Sequence, residues 1–145
     1  MPQFKDLKLK VDDSIEINAT VQEVFPYFTE SDKISKWWSK TAIAEPKQNG
    51  KLTFIWENNT ELESHFKTFI PFDKLAFPFG PEFVDVTFKT TKNNRTFITV
   101  CHSDILISEA NIKNSDFSLL IHITQSWSFL LINLKMVIEH KVDLR

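Results

Sequence analysis

One stretch near the C-terminal end limits what this chain can fold into. From Asp116 to Lys141, apolar residues fall at Leu120, Ile123, Trp127, Leu130, Leu131, Leu134, Val137 and Ile138. This is the i, i+3, i+4, i+7 spacing of a long helix with one broad apolar face. Asn114-Ser115-Asp116 offers side-chain oxygens for its first amides. Such a face has to be covered, and most of the remaining chain reads as strand, so the helix is the lid of a sheet.

The strands come as alternating runs. Leu7, Leu9, Val11, Ile15 and Ile17 share one parity, as in a half-buried strand, with Asp13 breaking the pattern as at a bulge. Thr20 with Glu23 reads as a capping box opening a short helix to Phe28, which Pro26 kinks or ends early. Ser31 reads as the N-cap of a second short helix towards Trp37-Trp38. Five or so strands follow. Leu52, Phe54 and Trp56 alternate in the first, and Glu61 to Ile70 forms the second. Leu75, Phe77 and Phe79 mark the third and Val84, Val86 and Phe88 the fourth; Arg95 to Ile105 is the last. Turns lie at Asn58-Asn59-Thr60, Pro71 to Lys74, Gly80-Pro81 and Lys92-Asn93-Asn94. Short turns between consecutive strands imply an antiparallel meander. The expected fold is α+β: a curved antiparallel sheet of about six strands wrapped around the C-terminal helix, with two short helices after the first strand. Residues 1–145 make one domain.

Composition removes several functions. A net charge of -2 gives no basis for nucleic-acid or anionic-membrane binding. No apolar run approaches the roughly 20 residues of a membrane span, and the opening Phe4-Lys5-Asp6-Leu7-Lys8 has no signal-peptide character. The single cysteine, Cys101, makes no internal disulfide and reads as a buried inert thiol, which suits a reducing cytoplasm. Two glycines and neither phosphate-loop pattern exclude nucleotide binding by those routes. His122 and His140 lie on one helical side but roughly 27 Å apart along the axis, and no HExxH or Cys/His cluster occurs, so neither metal nor cofactor is expected.

Aromatics are the excess: fourteen Phe and four Trp. Trp38, Trp56, Phe66, Phe77, Phe79, Phe88 and Trp127, with Leu131, are placed to face the space between sheet and helix. They form either a tight core or the wall of a pocket for a small hydrophobic molecule. His102 shares the parity of Ile98 and Val100, with Asp104 two residues on to orient its ring. Three roles stay open for it: a polar contact in the pocket, a general acid or base, or a structural histidine. Glu57, Glu61, Glu63 and Asp85 read as solvated strand faces and turns. On a helical wheel Phe129, Ile132 and Met136 fall away from the main apolar face. They either meet the short helices or a loop, or form a surface for a homodimer or protein partner.

Several strings also resemble a known family. Ile17-Asn18-Ala19-Thr20 with Val24-Phe25, Ile34-Ser35-Lys36-Trp37-Trp38, and Thr99-Val100-Cys101-His102-Ser103 match its first strand and helix, its double-Trp segment and its histidine strand. Ser126-Trp127, Asn133-Leu134-Lys135-Met136-Val137-Ile138-Glu139 and Val142-Asp143-Leu144-Arg145 match its helix and ending. Together they are similar to the START-like (SRPBCC, birch-pollen-allergen-like) superfamily, in its heat-shock ATPase activator (Aha-type) and calicheamicin-resistance-like branch. The resemblance implies a helix-grip fold with a cavity between sheet and helix. It also implies a choice among a hydrophobic-ligand binder, a chaperone cofactor, and a cyclase or hydrolase acting through His102. Ser126 stands where the family commonly has glycine before Trp127, which narrows the cavity or alters its entrance.

Overall fold

The computed structural model describes residues 6–145; the Phe4-Lys5 part of the opening segment lies outside the described residues. The chain runs β1 (Asp6–Ile17), α1 (Val21–Val24), a 3-10 turn (Phe25–Phe28), α2 (Ser31–Ile34), β2 (Thr41–Ala44), β3 (Lys51–Ile55) and β4 (Glu61–His65). Then come β5 (Thr68–Ile70), β6 (Lys74–Phe79), β7 (Glu82–Thr90), β8 (Thr96–Ser108), α3 (Glu109–Lys113) and α4 (Ser118–His140). All strand pairs are antiparallel, in a five-stranded sheet ordered β1-β8-β7-β6-β5 and a three-stranded sheet β2-β3-β4. The fold is therefore α+β, with a large antiparallel sheet and a long C-terminal helix. The described residues form eight strands in two sheets, where about six were expected.

The differences have local causes. The run from Glu61 to Ile70 leaves one sheet and joins the other at Phe66, whose N–H and carbonyl bond to Gly50 and Asn49 instead of a neighbouring strand. Gly50 permits this crossing, because a Cβ there would collide with the Glu45 carbonyl. Thr20 caps α1 through its backbone carbonyl without any side-chain bond, so the capping box is not formed. Pro26 falls where α1 tightens into the 3-10 turn, as a residue lacking an N–H requires. Ser31 is the first residue of α2 and not its cap; its Oγ accepts the Ala44 N–H at 2.9 Å and so ties α2 to β2.

Register shifts in β1 between Leu9 and Val11, not at Asp13. The extra residue is in β8, where Asp104 adopts φ 57°. Asp13 keeps the inward parity; its carboxylate accepts from Ser14 N–H and from the Ser128 hydroxyl of α4.

α4 presents Ile123, Trp127, Leu131, Leu134, Val137 and Ile138 to the same core as Ile17, Val84, Val86, Ile98, Val100 and Ile105. Each such aliphatic side chain contributes about 1.5–3 kcal/mol of burial. Lys141 ends the helix in the left-handed region, with Val142 N–H reaching back to the Met136 carbonyl. Asp116 lies one residue ahead of the cap position and accepts from Ser118 N–H and hydroxyl, which holds its carboxyl below the usual carboxylate value.

Candidate functional site

β8 carries Ile98, Val100 and His102 inward before the Asp104 bulge flips its parity, so that Ile105 and Ile107 become the buried residues beyond it. His102 thus sits at the last inward position before the bulge, facing the N-terminal half of α4. There the Trp127 indole N–H donates to His102 Nδ1 at 2.9 Å. Indole is a donor only, so Nδ1 is the accepting nitrogen and the ring proton sits on Nε2. That nitrogen lies 2.7 Å from Glu82 Oε1, and the Nε2–H donates to the carboxylate. The result is a directed chain, Trp127 to His102 to Glu82. Asp104 is exposed at the bulge and takes no part, which corrects the expectation that it orients the imidazole.

Glu82 was not anticipated in this role. Its signal was available: in β7 it shares the parity of the buried Val84, Val86 and Phe88. A carboxylate on the covered side of a strand needs a donor, and His102, opposite Val84 in the register, is one diagonal step away.

The chain opens into a cleft of about 500 Å³, partly open to solvent, between α4 and the sheet. Trp38, Trp56, Phe79, His102 and Trp127 line it. Trp38 packs 5.3 Å from Trp127 and stacks on Phe79 at 6.0 Å; Phe79 meets the His102 ring edge-on at 5.7 Å. From α4, Leu119, His122, Ile123, Ser126, Phe129 and Leu130 complete the wall; Ser126 was expected to narrow the cavity or alter its entrance, and the other five were not expected to line it. Four expected residues do not reach the cleft. Phe66 packs on Phe69 and Phe77, Phe77 on Trp38 and Phe54, and Phe88 on Phe25 and Phe28, while Leu131 is buried on the core side of α4. Parity identifies the covered side of a strand but not which part of that side is filled and which is left hollow.

The double-Trp segment divides in the same way. Trp37 is fully buried and donates to the Tyr27 carbonyl at 2.7 Å, whereas Trp38 forms a wall. Asn133, also fully buried, holds Trp37 from α4 by donating to its carbonyl and accepts the Leu144 N–H. Phe129 and Ile132 are 44% and 51% exposed. Phe129 edges the cleft and Met136 is half-buried, so the three do not form one uniformly outward patch.

Cys101 faces away from the cleft and is half-buried rather than buried. Desolvation and the hydrogen bond with Asp12 push its thiol up to about 11, so the nucleophilic thiolate is disfavoured. Asp85 lies 3.6 Å from Lys74, and Glu57, Glu61 and Glu63 are exposed. Among the described residues no three His, Cys, Asp or Glu side chains converge on a metal-sized space. No helix among them is long and apolar enough to cross a membrane.

Comparison with known proteins gives a consistent likeness. The model of the family described as Activator of Hsp90 ATPase homolog 1-like protein matches residues 18–139. A protein of Staphylococcus saprophyticus superposes with a TM-score of 0.80 at 20% identity, over 94% of this chain and 96% of that one. The Aha1 dimer of Colwellia psychrerythraea superposes at 0.77 with 17% identity, over 91% and 97%. DynU16, from the dynemicin biosynthetic locus, superposes at 0.76 with 18% identity, over 94% of this chain and 49% of that one. No curated protein sequence matches the chain. At these identities the superpositions speak for the fold.

Proposed function

We propose that this chain, which belongs to the Activator of Hsp90 ATPase homolog 1-like family within the START-like group, is a binding protein for a small hydrophobic molecule. The observation that carries this reading is the cleft: about 500 Å³ of space with walls of Trp, Phe, Leu and Ile and a few convergent polar groups, the usual make-up of a small-molecule site. Trp38, Trp56, Phe79 and Trp127 serve as walls, with Phe77 packed behind Trp38. His102 positions Glu82 and does not act as the reactive base. Both of its ring nitrogens are already engaged, and a general base needs one within reach of substrate. The half-buried lone thiol accords with a reducing cytoplasm as the working compartment.

The test is calorimetric titration with a neutral probe, 2-naphthylmethanol, alongside native mass spectrometry of the purified protein. Saturable binding that weakens at least about tenfold in Leu130→Glu, with the fold retained by circular dichroism, supports the cleft. An affinity indifferent to that substitution removes it.

A second reading, protein interaction, draws on the exposure of Ile132 on α4, with Phe129 exposed at the cleft edge, and on the dimeric state of the Colwellia protein. On this reading Ile132→Asp converts a sedimenting dimer to monomer; a wild-type monomer with no partner-dependent shift argues against it.

A further inference from the structure

We propose, resting on the cleft reading above, that the ligand's head group is a positively charged nitrogen: an ammonium on an apolar or aromatic body, seated against Glu82. Three observations converge on this. Among the cleft-lining residues, Glu82 is the one carboxylate, the other ionisable side chains are His102 and His122, and no Lys or Arg lines the space. The second is what Glu82 already bonds. One carboxylate oxygen takes the Nε2–H of His102, whose Nδ1 accepts the Trp127 indole N–H. The carboxylate is therefore oriented by the His102 ring, and no Lys or Arg of the lining offsets its charge. Its side chain is 21% exposed, so it belongs to the wall and not to the surface.

The third observation is the company it keeps. Trp127, Trp38, Phe79 and Trp56 line the same space. Aromatic faces attract ammonium groups, Trp most strongly, and a carboxylate among such rings adds a direct charge partner. An anionic head group would meet the Glu82 charge with no cation to offset it. The cleft thus discriminates by sign: it accepts an apolar amine, tolerates a neutral alcohol and rejects a fatty or aromatic acid.

The experiment uses three ligands sharing one ring system at pH 7: 2-naphthylmethylammonium, 2-naphthylmethanol and 2-naphthoate. Calorimetry on the full chain should show the ammonium binding at least about tenfold tighter than the alcohol, with the carboxylate weakest. Glu82→Gln keeps a carbonyl oxygen to accept from His102, and circular dichroism checks its fold. In that variant the ratio of ammonium to alcohol affinity should fall to within about threefold of unity. A wild-type ratio near unity overturns the inference while leaving an apolar cleft intact. So does a ratio that survives Glu82→Gln. Failure of both the ammonium and the alcohol to bind overturns the cleft and the charge preference together.

Discussion

Trp127 can only donate, and that property of one side chain sets the state of the polar corner of the cleft. Its N–H fills His102 Nδ1, which turns the remaining ring proton towards Glu82. His102→Leu keeps the bulk of the side chain but leaves a buried indole N–H without an acceptor. The expected cost is about 1–3 kcal/mol, read as a lower urea midpoint at unchanged slope. A loss under about 0.5 kcal/mol would mean that water replaces the imidazole. The inward direction of His102 was legible in the sequence because it continues the parity of Ile98 and Val100. Its partner was not. Asp104 also fits that parity on paper, but it sits in the bulge itself at φ 57° and is exposed, and nothing in the residue pattern announces an extra residue in a strand this apolar. Glu82 was visible on the covered parity of β7, yet a lone carboxylate beside Gly80-Pro81 reads as a turn residue until the register is known.

Elements were legible in proportion to their length and periodicity. α4 was plain from eight spaced apolar residues, while β2, four residues with a single buried side chain, leaves no alternation to read. The last four residues were recognisable only as a string, and the structure gives them a physical task. Asp143 takes hydrogen bonds from the Arg145 side chain and from Asn133, while Arg145 also donates to the Ser39 and Ser35 carbonyls of the segment after α2. The tail thereby ties α4 to the segment that carries both tryptophans. Hydrogen bonds from Arg145 come first in holding the Asp143 carboxyl down at about 2, against 3.8 ordinarily. A depressed folded-state value stabilises above the unfolded value and loses that contribution as pH falls through the folded one. Asp143→Asn should therefore lower the melting temperature at neutral pH, by about 1–3 °C because the carboxylate is largely solvated. The gap to wild type should shrink below pH ~4 and close near pH ~2. A gap that is constant across this range would assign the effect to shape and not to charge.

At the scale of the whole molecule, the same aromatic inventory does two jobs. Phe25, Phe28, Trp37, Phe66, Phe77 and Phe88 are buried in the core, with Phe88 edge-on to Phe25 and Phe28 and Phe66 edge-on to Phe77, while Trp38, Trp56 and Phe79, facing Trp127 of α4, line the cleft. Composition announced the excess of rings but not this division, because it depends on where the N-terminal half of α4 lies over the sheet. A hollow apolar site forgoes contacts that a filled one would make, so the fold carries a cost in stability for holding it open. Ser126, half-buried on the cleft wall and one turn before Leu130, is the place to measure that cost. Ser126→Phe extends a ring into the space without removing any side-chain hydrogen bond identified for Ser126. Burial of the ring should raise stability by about 1 kcal/mol, or about 2–4 °C in melting temperature, while the affinity for 2-naphthylmethanol falls at least about tenfold. Opposite signs for the two readouts are the signature of a cavity kept for a ligand. If the variant melts higher and still binds the probe with unchanged affinity, the probe does not occupy the hollow, and the hollow is then packing slack with no bearing on ligand binding.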